Sequence, residues 1–117
     1  MTTGTATLST HVLDATTGRP AAAVQVRLEY SGRDGWRTAA EGQTGADGRL
    51  RLAGDADEGF APGVYRITFG SGAYFRTRGA TSFYPEVTVT FEMSADGGHY
   101  HVPLLLSPFA YSTYRGS

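Results

Sequence analysis

The chain has 117 residues, which is the size of one domain, and we predict a single domain over 1–117. Ten positive residues oppose 11 negative ones, so the formal net charge is −1 and the basic surface of nucleic-acid-binding or membrane-surface proteins is not expected. No apolar run approaches the roughly 18 residues of a membrane span, and the start is polar, so we expect a soluble cytoplasmic protein.

Short segments of alternating apolar and polar residues follow one another along the chain. In 24–30, for example, Val, Val, Leu and Tyr alternate with Gln, Arg and Glu. The 16 glycines, roughly twice the average share, and turn dipeptides such as Asp47-Gly48 separate these segments. Strands are predicted near 7–14, 24–31, 36–44, 49–53, 63–70, 86–93, 99–107 and 109–116. This pattern predicts an all-β two-sheet sandwich of about eight strands.

One segment, 71–79, is predicted to form a short helix instead of a strand. A serine at position 71 is suited to cap the start of a helix, because its hydroxyl can accept a hydrogen bond from a free backbone N–H group. A glycine at position 79 is suited to end it. We therefore expect Ser71 to be the N-cap and Gly79 to terminate the helix.

The C-terminal region from 99 to 114 is apolar or aromatic on both faces of its alternation. A strand of this kind is either buried within the domain or covered by another subunit. Because the outer face of a two-layer sandwich normally meets water, a subunit contact is the better interpretation. One face carries Tyr100, Val102, Leu104 and Leu106, and the other carries His99, His101, Pro103 and Leu105.

The three histidines are the most distinctive chemical groups in the sequence. His99 and His101 share one strand face because they are two residues apart, and His11 lies in the first strand. A His-x-His pair with a third histidine is compatible with zinc. Structural histidines and a metal-free general base are also compatible with it. From the residues alone these three interpretations stay open.

Other kinds of chemistry are excluded or unsupported by the residues. The chain has no cysteine, and all its positive residues are arginines, so thiol nucleophiles, thiolate metal sites and lysine Schiff bases are excluded. No Gly-x-Ser-x-Gly elbow or phosphate-binding glycine loop is present. Arg49, directly after the Asp47-Gly48 turn, is by itself most simply interpreted as a solvated hairpin residue. The residues therefore indicate an oligomeric β-sandwich with an unusual histidine strand.

Four segments of the sequence together resemble those of a known family. They are an opening strand over 8–14, a central hairpin over 44–49, and a closing hairpin over 99–108 and 111–117. The family is that of the 5-hydroxyisourate hydrolases, transthyretin-like enzymes of urate breakdown. The resemblance extends over essentially the whole chain, and its most specific motif is the final Tyr-Arg-Gly-Ser. It implies a transthyretin/prealbumin-like sandwich.

The resemblance also implies a set of active-site residues. The catalytic set would be His11, Arg49, His101 and Ser117, and Tyr114 would bind substrate together with His11 and Arg49. His99 lies outside this set and would be a supporting residue. The family needs neither a metal ion nor a cofactor, so the resemblance argues against the zinc interpretation.

The activity implied is the hydrolytic ring opening of 5-hydroxyisourate to 2-oxo-4-hydroxy-4-carboxy-5-ureidoimidazoline. A histidine would assist the attacking water, and an arginine would stabilise the oxyanion. The family assembles as a homotetramer, a dimer of dimers whose active sites lie in a channel between the dimers. The alternative is a non-catalytic transthyretin-like module that binds small ligands. Vertebrate transthyretin lacks the matching histidines and the Tyr-Arg-Gly-Ser ending.

Overall fold

The structure of the protein is a computed structural model that describes residues 6–53 and 59–116. These residues form two β-sheets that pack face to face, with one short helix at the side. The elements are β1 (Ala6–Asp14), β2 (Arg19–Pro20), β3 (Gln25–Gly32), β4 (Gly35–Gln43), β5 (Arg49–Leu52), β6 (Gly63–Phe69), α1 (Ser71–Thr77), β7 (Val87–Met93), β8 (Gly98–Ser107) and β9 (Ala110–Thr113). The predicted all-β sandwich is confirmed. The short strand β2 is not among the predicted strands.

The first sheet is built around β1. On one side β1 pairs in parallel with β8, which in turn pairs with β9. On its other side it pairs antiparallel with β5 and with β2. The second sheet has the order β4-β3-β6-β7 and is antiparallel throughout. Strand β1 thus holds together segments from the beginning, middle and end of the sequence.

The alternation of β1 decides which of its side chains face the core. Its even-numbered residues are buried, and its odd-numbered residues are partly exposed on the outer face of the first sheet. Thr10 is fully buried and donates its hydroxyl to the carbonyl of Val102 at 2.7 Å. The buried carboxylate of Asp14 accepts a hydrogen bond from Tyr74 at 2.9 Å. The polar groups on the inner face are therefore satisfied, and His11 is directed outward.

The core lies between the two sheets and is almost entirely apolar. It draws on both sheets and on helix α1, so the sandwich and the helix share one core. Burial of these side chains is the main contribution to folding. The core residues include Leu8, Val12, Val24, Leu28, Ile67, Phe69, Tyr74, Phe75, Val87, Met93, Tyr100, Val102, Leu104 and Leu106.

The start of helix α1 differs from the prediction. The N-cap is Gly70, and no side chain caps the helix. Ser71 is buried, and its hydroxyl donates to the carbonyl of Tyr84, so the prediction that Ser71 is the cap is wrong. At the other end, Gly79 follows the last turn with φ +70° and the N–H of Ala80 bonds back into that turn, as expected for a glycine terminus. Within the described residues, no helix is long and apolar enough to cross a membrane.

The last strand is shorter than predicted, because β9 ends at Thr113 and not at residue 116. In the register of β8 and β9, Tyr114 would lie opposite Pro103. Proline has no N–H group to donate to that partner, so the ladder is interrupted there. The hydroxyl of Thr113 donates to the carbonyl of Pro103 at 2.7 Å instead. Pairing resumes at Gly116, whose N–H donates to the carbonyl of His101 at 2.8 Å.

The turn before β5 depends on Gly48. This residue has φ +76°, and a Cβ atom there would lie 2.4 Å from the carbonyl oxygen of Val12. We predict that Gly48→Ala lowers the free energy of unfolding by about 2 kcal/mol or more, through the strained φ and the steric clash together. Urea denaturation of the purified protein measures this loss.

Gly18→Ala is a matched control for this prediction. Gly18 has a similar φ of +73°, but a Cβ atom there would meet nothing within 4 Å. Its substitution adds strain without a clash, so we expect a loss of only about 1 kcal/mol. Equal losses in the two variants would show that the clash with the Val12 carbonyl does not contribute to the loss of stability.

Candidate active site

The outer face of the first sheet brings together three of the predicted site residues. His11 on β1 lies directly opposite Arg49 on β5 and opposite Pro103 on β8. His101 is two residues from Pro103, on the same outer face. Neighbouring strands are about 4.8 Å apart, and diagonal neighbours across a pair are about 7–8 Å apart. His11, Arg49 and His101 therefore lie within reach of one small molecule.

The ring of His11 is held by the turn that precedes β5. Its Nε2 atom lies 3.0 Å from the carbonyl oxygen of Asp47. Because a carbonyl oxygen only accepts hydrogen bonds, Nε2 carries the proton that is donated. The Nδ1 atom of the neutral ring then keeps its lone pair. His11 can thus accept a hydrogen bond at Nδ1 from a molecule on this face.

The same turn positions Arg49. The backbone N–H of Arg49 donates to Asp47 Oδ1 at 3.0 Å, and its Nε atom lies 4.0 Å from Asp47 Oδ2. The Arg49 side chain is 61% exposed. Such a long, exposed ion pair leaves most guanidinium donors free. They are available to an anionic or carbonyl oxygen above the sheet.

His101 is the third of these groups, and its pKa is shifted. Its Nδ1 atom is 2.8 Å from the hydroxyl of Ser9, and the residue is partly buried. Burial lowers the pKa of His101 below its ordinary value of 6.5, and Coulombic interactions with His99, Arg49 and His11 lower it further. A hydrogen bond with the Ser9 backbone acts in the opposite direction. His101 is therefore predominantly neutral at pH 7, as a general base must be.

The backbone of Gly116 covers the ring of His101. A Cβ atom at position 116 would lie 2.6 Å from His101 Cδ2 and 3.2 Å from Cγ. Only glycine fits this approach without moving the imidazole. The segment after β9 is thus packed against the site.

The other two predicted site residues are less well defined. Tyr114 is 59% exposed and lies between β9 and the pairing of Gly116 with His101. It also borders a small cavity lined by Phe91 and Tyr100, among others. Ser117 lies outside the described residues. Its place in the site stays a prediction.

His99 does not join the other two histidines around a common centre. Its ring nitrogens hydrogen-bond to the hydroxyls of Thr7 and Ser9, at 2.7 and 2.9 Å. Across residues 6–53 and 59–116, no group of three or more metal-ligating side chains could hold a metal ion. The structure therefore offers no support for the zinc interpretation that the histidine count left open.

Ser9 and Asp47 hold site residues in place, although neither was predicted to belong to the site. Ser9 could have been noticed, because the alternation of the first strand puts it on the same face as His11. The role of Asp47 depends on its backbone carbonyl, and no residue type reveals that. Together these groups present a neutral base, a second imidazole and a free guanidinium on one open face. Such a set is suited to water attack on a carbonyl group.

Comparison with known proteins shows the family to which the chain belongs. The family model described as "Transthyretin: HIUase/Transthyretin family" matches residues 8–116. A 5-hydroxyisourate hydrolase of Salmonella typhi is 46% identical over 114 residues, which are 97% of this chain and 83% of that protein. A 5-hydroxyisourate hydrolase of Caulobacter vibrioides is 47% identical over 116 residues, with coverage of 94% and 97%.

The likeness extends to three-dimensional structure. The structure of Klebsiella pneumoniae 5-hydroxyisourate hydrolase has a TM-score of 0.83 and 36% identity, and the match covers 98% of this chain and 96% of that chain. Transthyretin from Sparus aurata has a TM-score of 0.86 and 38% identity, with coverage of 93% and 95%. Because the family model spans nearly the whole sequence and these relatives match over nearly all of it, the chain belongs to the HIUase/transthyretin family.

Proposed function

We propose that the protein is a hydrolase that opens the ring of 5-hydroxyisourate to give 2-oxo-4-hydroxy-4-carboxy-5-ureidoimidazoline. The observation that carries the proposal is the grouping of His11, Arg49 and His101 on one open face. Relatives named 5-hydroxyisourate hydrolase, at 46–47% identity over most of the chain, support it. The bond broken is an amide-like C–N bond of the six-membered ring, and water supplies the new oxygen.

His101 is the general base in this proposal. Water loses a proton as it attacks the ring carbonyl, and a neutral imidazole is suited to accept that proton. His101 Nδ1 is engaged by Ser9, so Nε2 is the nitrogen that faces the reaction. Its lowered pKa keeps the ring neutral at pH 7. His11, which has Nδ1 free, holds the water or a substrate N–H group in position.

Arg49 stabilises the oxyanion that forms when water adds to the carbonyl. A guanidinium supplies fixed donors and a charge that does not titrate near neutral pH. Its effect is larger when water is excluded, because electrostatic interactions strengthen in a medium of low dielectric constant. The exposed Arg49 would therefore act best when another subunit covers the outer face of the first sheet. The resemblance adds Ser117 to the catalytic set and Tyr114 to the substrate contacts, with no metal ion or cofactor.

A spectroscopic assay tests the proposed activity. Urate oxidase converts urate to 5-hydroxyisourate, and the ultraviolet decay of that product is then followed with and without the protein. We expect the decay to accelerate in proportion to protein concentration. An unchanged decay rate with a well-folded protein would reject the hydrolase. Tight binding of a small aromatic ligand without acceleration would favour the transthyretin-like binding module.

We also propose that the protein is a homotetramer, a dimer of dimers. Large apolar side chains are exposed on or beside the first sheet, and Leu105 on its outer face is only partly buried. Surfaces of this kind are normally covered by another subunit. We predict a mass about four times 12.4 kDa in sedimentation equilibrium. The most exposed apolar side chains are Phe83, Phe109 and Tyr114.

Two charge substitutions test which sheet carries the tetramer contact. Leu105→Glu places a charge on the outer face of the first sheet and should dissociate the tetramer and lower activity. Thr90→Glu places the same charge on an exposed position of the second sheet and should leave the mass unchanged. An active wild-type monomer would contradict both the assembly and the shared site. The cytoplasmic location stays a prediction from the sequence.

Gly116→Ala tests whether the C-terminal segment holds His101 in place. The new Cβ would lie 2.6 Å from the ring, so the imidazole must move. We expect kcat to fall by about 10- to 100-fold, because displacements near 1 Å cost this much. Gly70→Ala is the control, since its Cβ would have only ordinary contacts at 3.4 Å or more, and it should retain activity. If the two variants were equally active, catalysis would not depend on the close contact between Gly116 and the His101 ring.

A further inference from the structure

Four side chains on the outer face of the first sheet form a continuous row of hydrogen bonds. Thr7 Oγ1 lies 2.7 Å from His99 Nδ1, and Ser9 Oγ lies 2.9 Å from His99 Nε2. The same Ser9 oxygen lies 2.8 Å from His101 Nδ1. The parallel pairing of β1 with β8 produces the row, because Thr7 is opposite His99 and Ser9 is opposite His101. We call these four side chains the histidine–serine row.

The single hydrogen of the Ser9 hydroxyl can point to either histidine. The hydrogen bond between Ser9 and His101 Nδ1 can therefore run in two directions. When Ser9 donates to His99 Nε2, it accepts a hydrogen bond from His101 Nδ1, and His101 Nε2 keeps its lone pair. When Ser9 donates to His101 Nδ1 instead, a neutral His101 carries its proton on Nε2. The lone pair at Nε2 is then absent. Only the first direction leaves His101 able to act as a base at Nε2.

His99 can hold the row in the first direction. When a neutral His99 donates its Nδ1 proton to Thr7 Oγ1, its Nε2 atom accepts the hydrogen of the Ser9 hydroxyl. The Ser9 oxygen then accepts a hydrogen bond from His101 Nδ1. A side chain that accepts no hydrogen bond from Ser9 would leave this hydroxyl able to donate to His101 instead.

We propose that His99 is a positioning residue that acts through Ser9 to set the tautomer of His101. Neutral His99 keeps the His101 proton on Nδ1 and frees Nε2. The inference rests on the proposed function, in which His101 is the general base.

Among the described residues, the C-terminal segment presents the backbone of Gly116 to His101. Other charged or titratable groups described on this face are His11 from β1, and Arg49 and Arg51 from β5.

Nitrogen NMR of the full-length protein tests the proposal without substrate. Labelling with ¹⁵N-histidine gives signals from only three residues. At about pH 8, where imidazoles are neutral, we expect the protonated nitrogen to be Nδ1 in His101 and Nε2 in His11. Finding His101 protonated on Nε2 at high pH would overturn the proposal.

Substitutions of Ser9 separate positioning from general disruption. Ser9→Ala removes the hydroxyl, so His101 should become a mixture of both tautomers and kcat/KM should fall about 10- to 100-fold, as for other groups that orient a functional histidine. Ser9→Thr keeps the hydroxyl and should restore both properties. Ser31→Ala makes the same change at an exposed position of the second sheet and should alter neither. An unchanged His101 tautomer in Ser9→Ala would overturn the proposal.

Substitutions of His99 test whether it acts through Ser9. In His99→Gln the amide oxygen can accept from Ser9, so activity and the His101 tautomer should persist. His99→Leu has no acceptor and should behave like Ser9→Ala. Wild-type activity and an unchanged His101 tautomer in His99→Leu would contradict the proposal. If the wild type has the expected tautomers but does not accelerate hydroxyisourate decay, the proposed function fails while the coupling of the tautomers stands.

Discussion

Substitution of His101 by alanine should lower kcat/KM for hydroxyisourate ring opening by at least about 10²-fold, the expected contribution of a general base. The fold should survive, because His101 lies on the outer face of the first sheet and contributes nothing to the apolar core. The urea midpoint of unfolding should therefore change little. A variant with near-wild-type turnover would remove His101 from the mechanism.

The pH profile of the wild-type enzyme provides an independent test of the same residue. The pKa of His101 is lowered from 6.5 by burial and by Coulombic interactions with neighbouring groups, so the base stays unprotonated through neutral pH. Activity should fall as the pH decreases through that lowered pKa, which places the acid limb below pH 6.5. In His101→Ala the residual activity should lack this limb. An acid limb above pH 6.5 would indicate a different base.

Arg49→Ala is the second change with a large expected effect. Loss of one donor to an oxyanion costs about 10²- to 10³-fold in kcat, and we expect a loss in this range. Stability should change little, because the Arg49 side chain is 61% exposed and its ion pair with Asp47 is long at 4.0 Å. Steady-state kinetics with enzymatically generated 5-hydroxyisourate measure the loss.

Two further variants show whether the geometry of Arg49 matters as well as its charge. Arg49→Lys keeps the positive charge but loses the planar fork of donors, so it should recover only part of the activity. Arg27→Ala removes an arginine that is also largely exposed, but on the second sheet, and should have wild-type kinetics. If Arg49→Ala and Arg27→Ala were equally active, Arg49 would have no role in the reaction.

The sequence alone determined the class of fold and the strand face that two histidines share. Alternation in segments such as 24–30 predicts strands, because successive side chains of a pleated backbone point to opposite faces. The same local rule puts His99 and His101 on one face of their strand. Local rules fail at Ser71, whose hydroxyl does not cap the helix but donates to the carbonyl of Tyr84, 13 residues away in sequence. They fail again after Thr113, because Pro103 on the facing strand interrupts the ladder.

Only the tertiary structure decided how the candidate site is put together. His11, Arg49 and His101 are far apart in sequence, and they meet because β1 pairs with β5 on one side and with β8 on the other. The lowered pKa of His101 arises from burial and from charges on other strands. The tautomer of His11 is set by a backbone carbonyl in the preceding turn. These properties depend on distances and solvent exclusion between separate segments, and a pattern read along one chain carries no information about either.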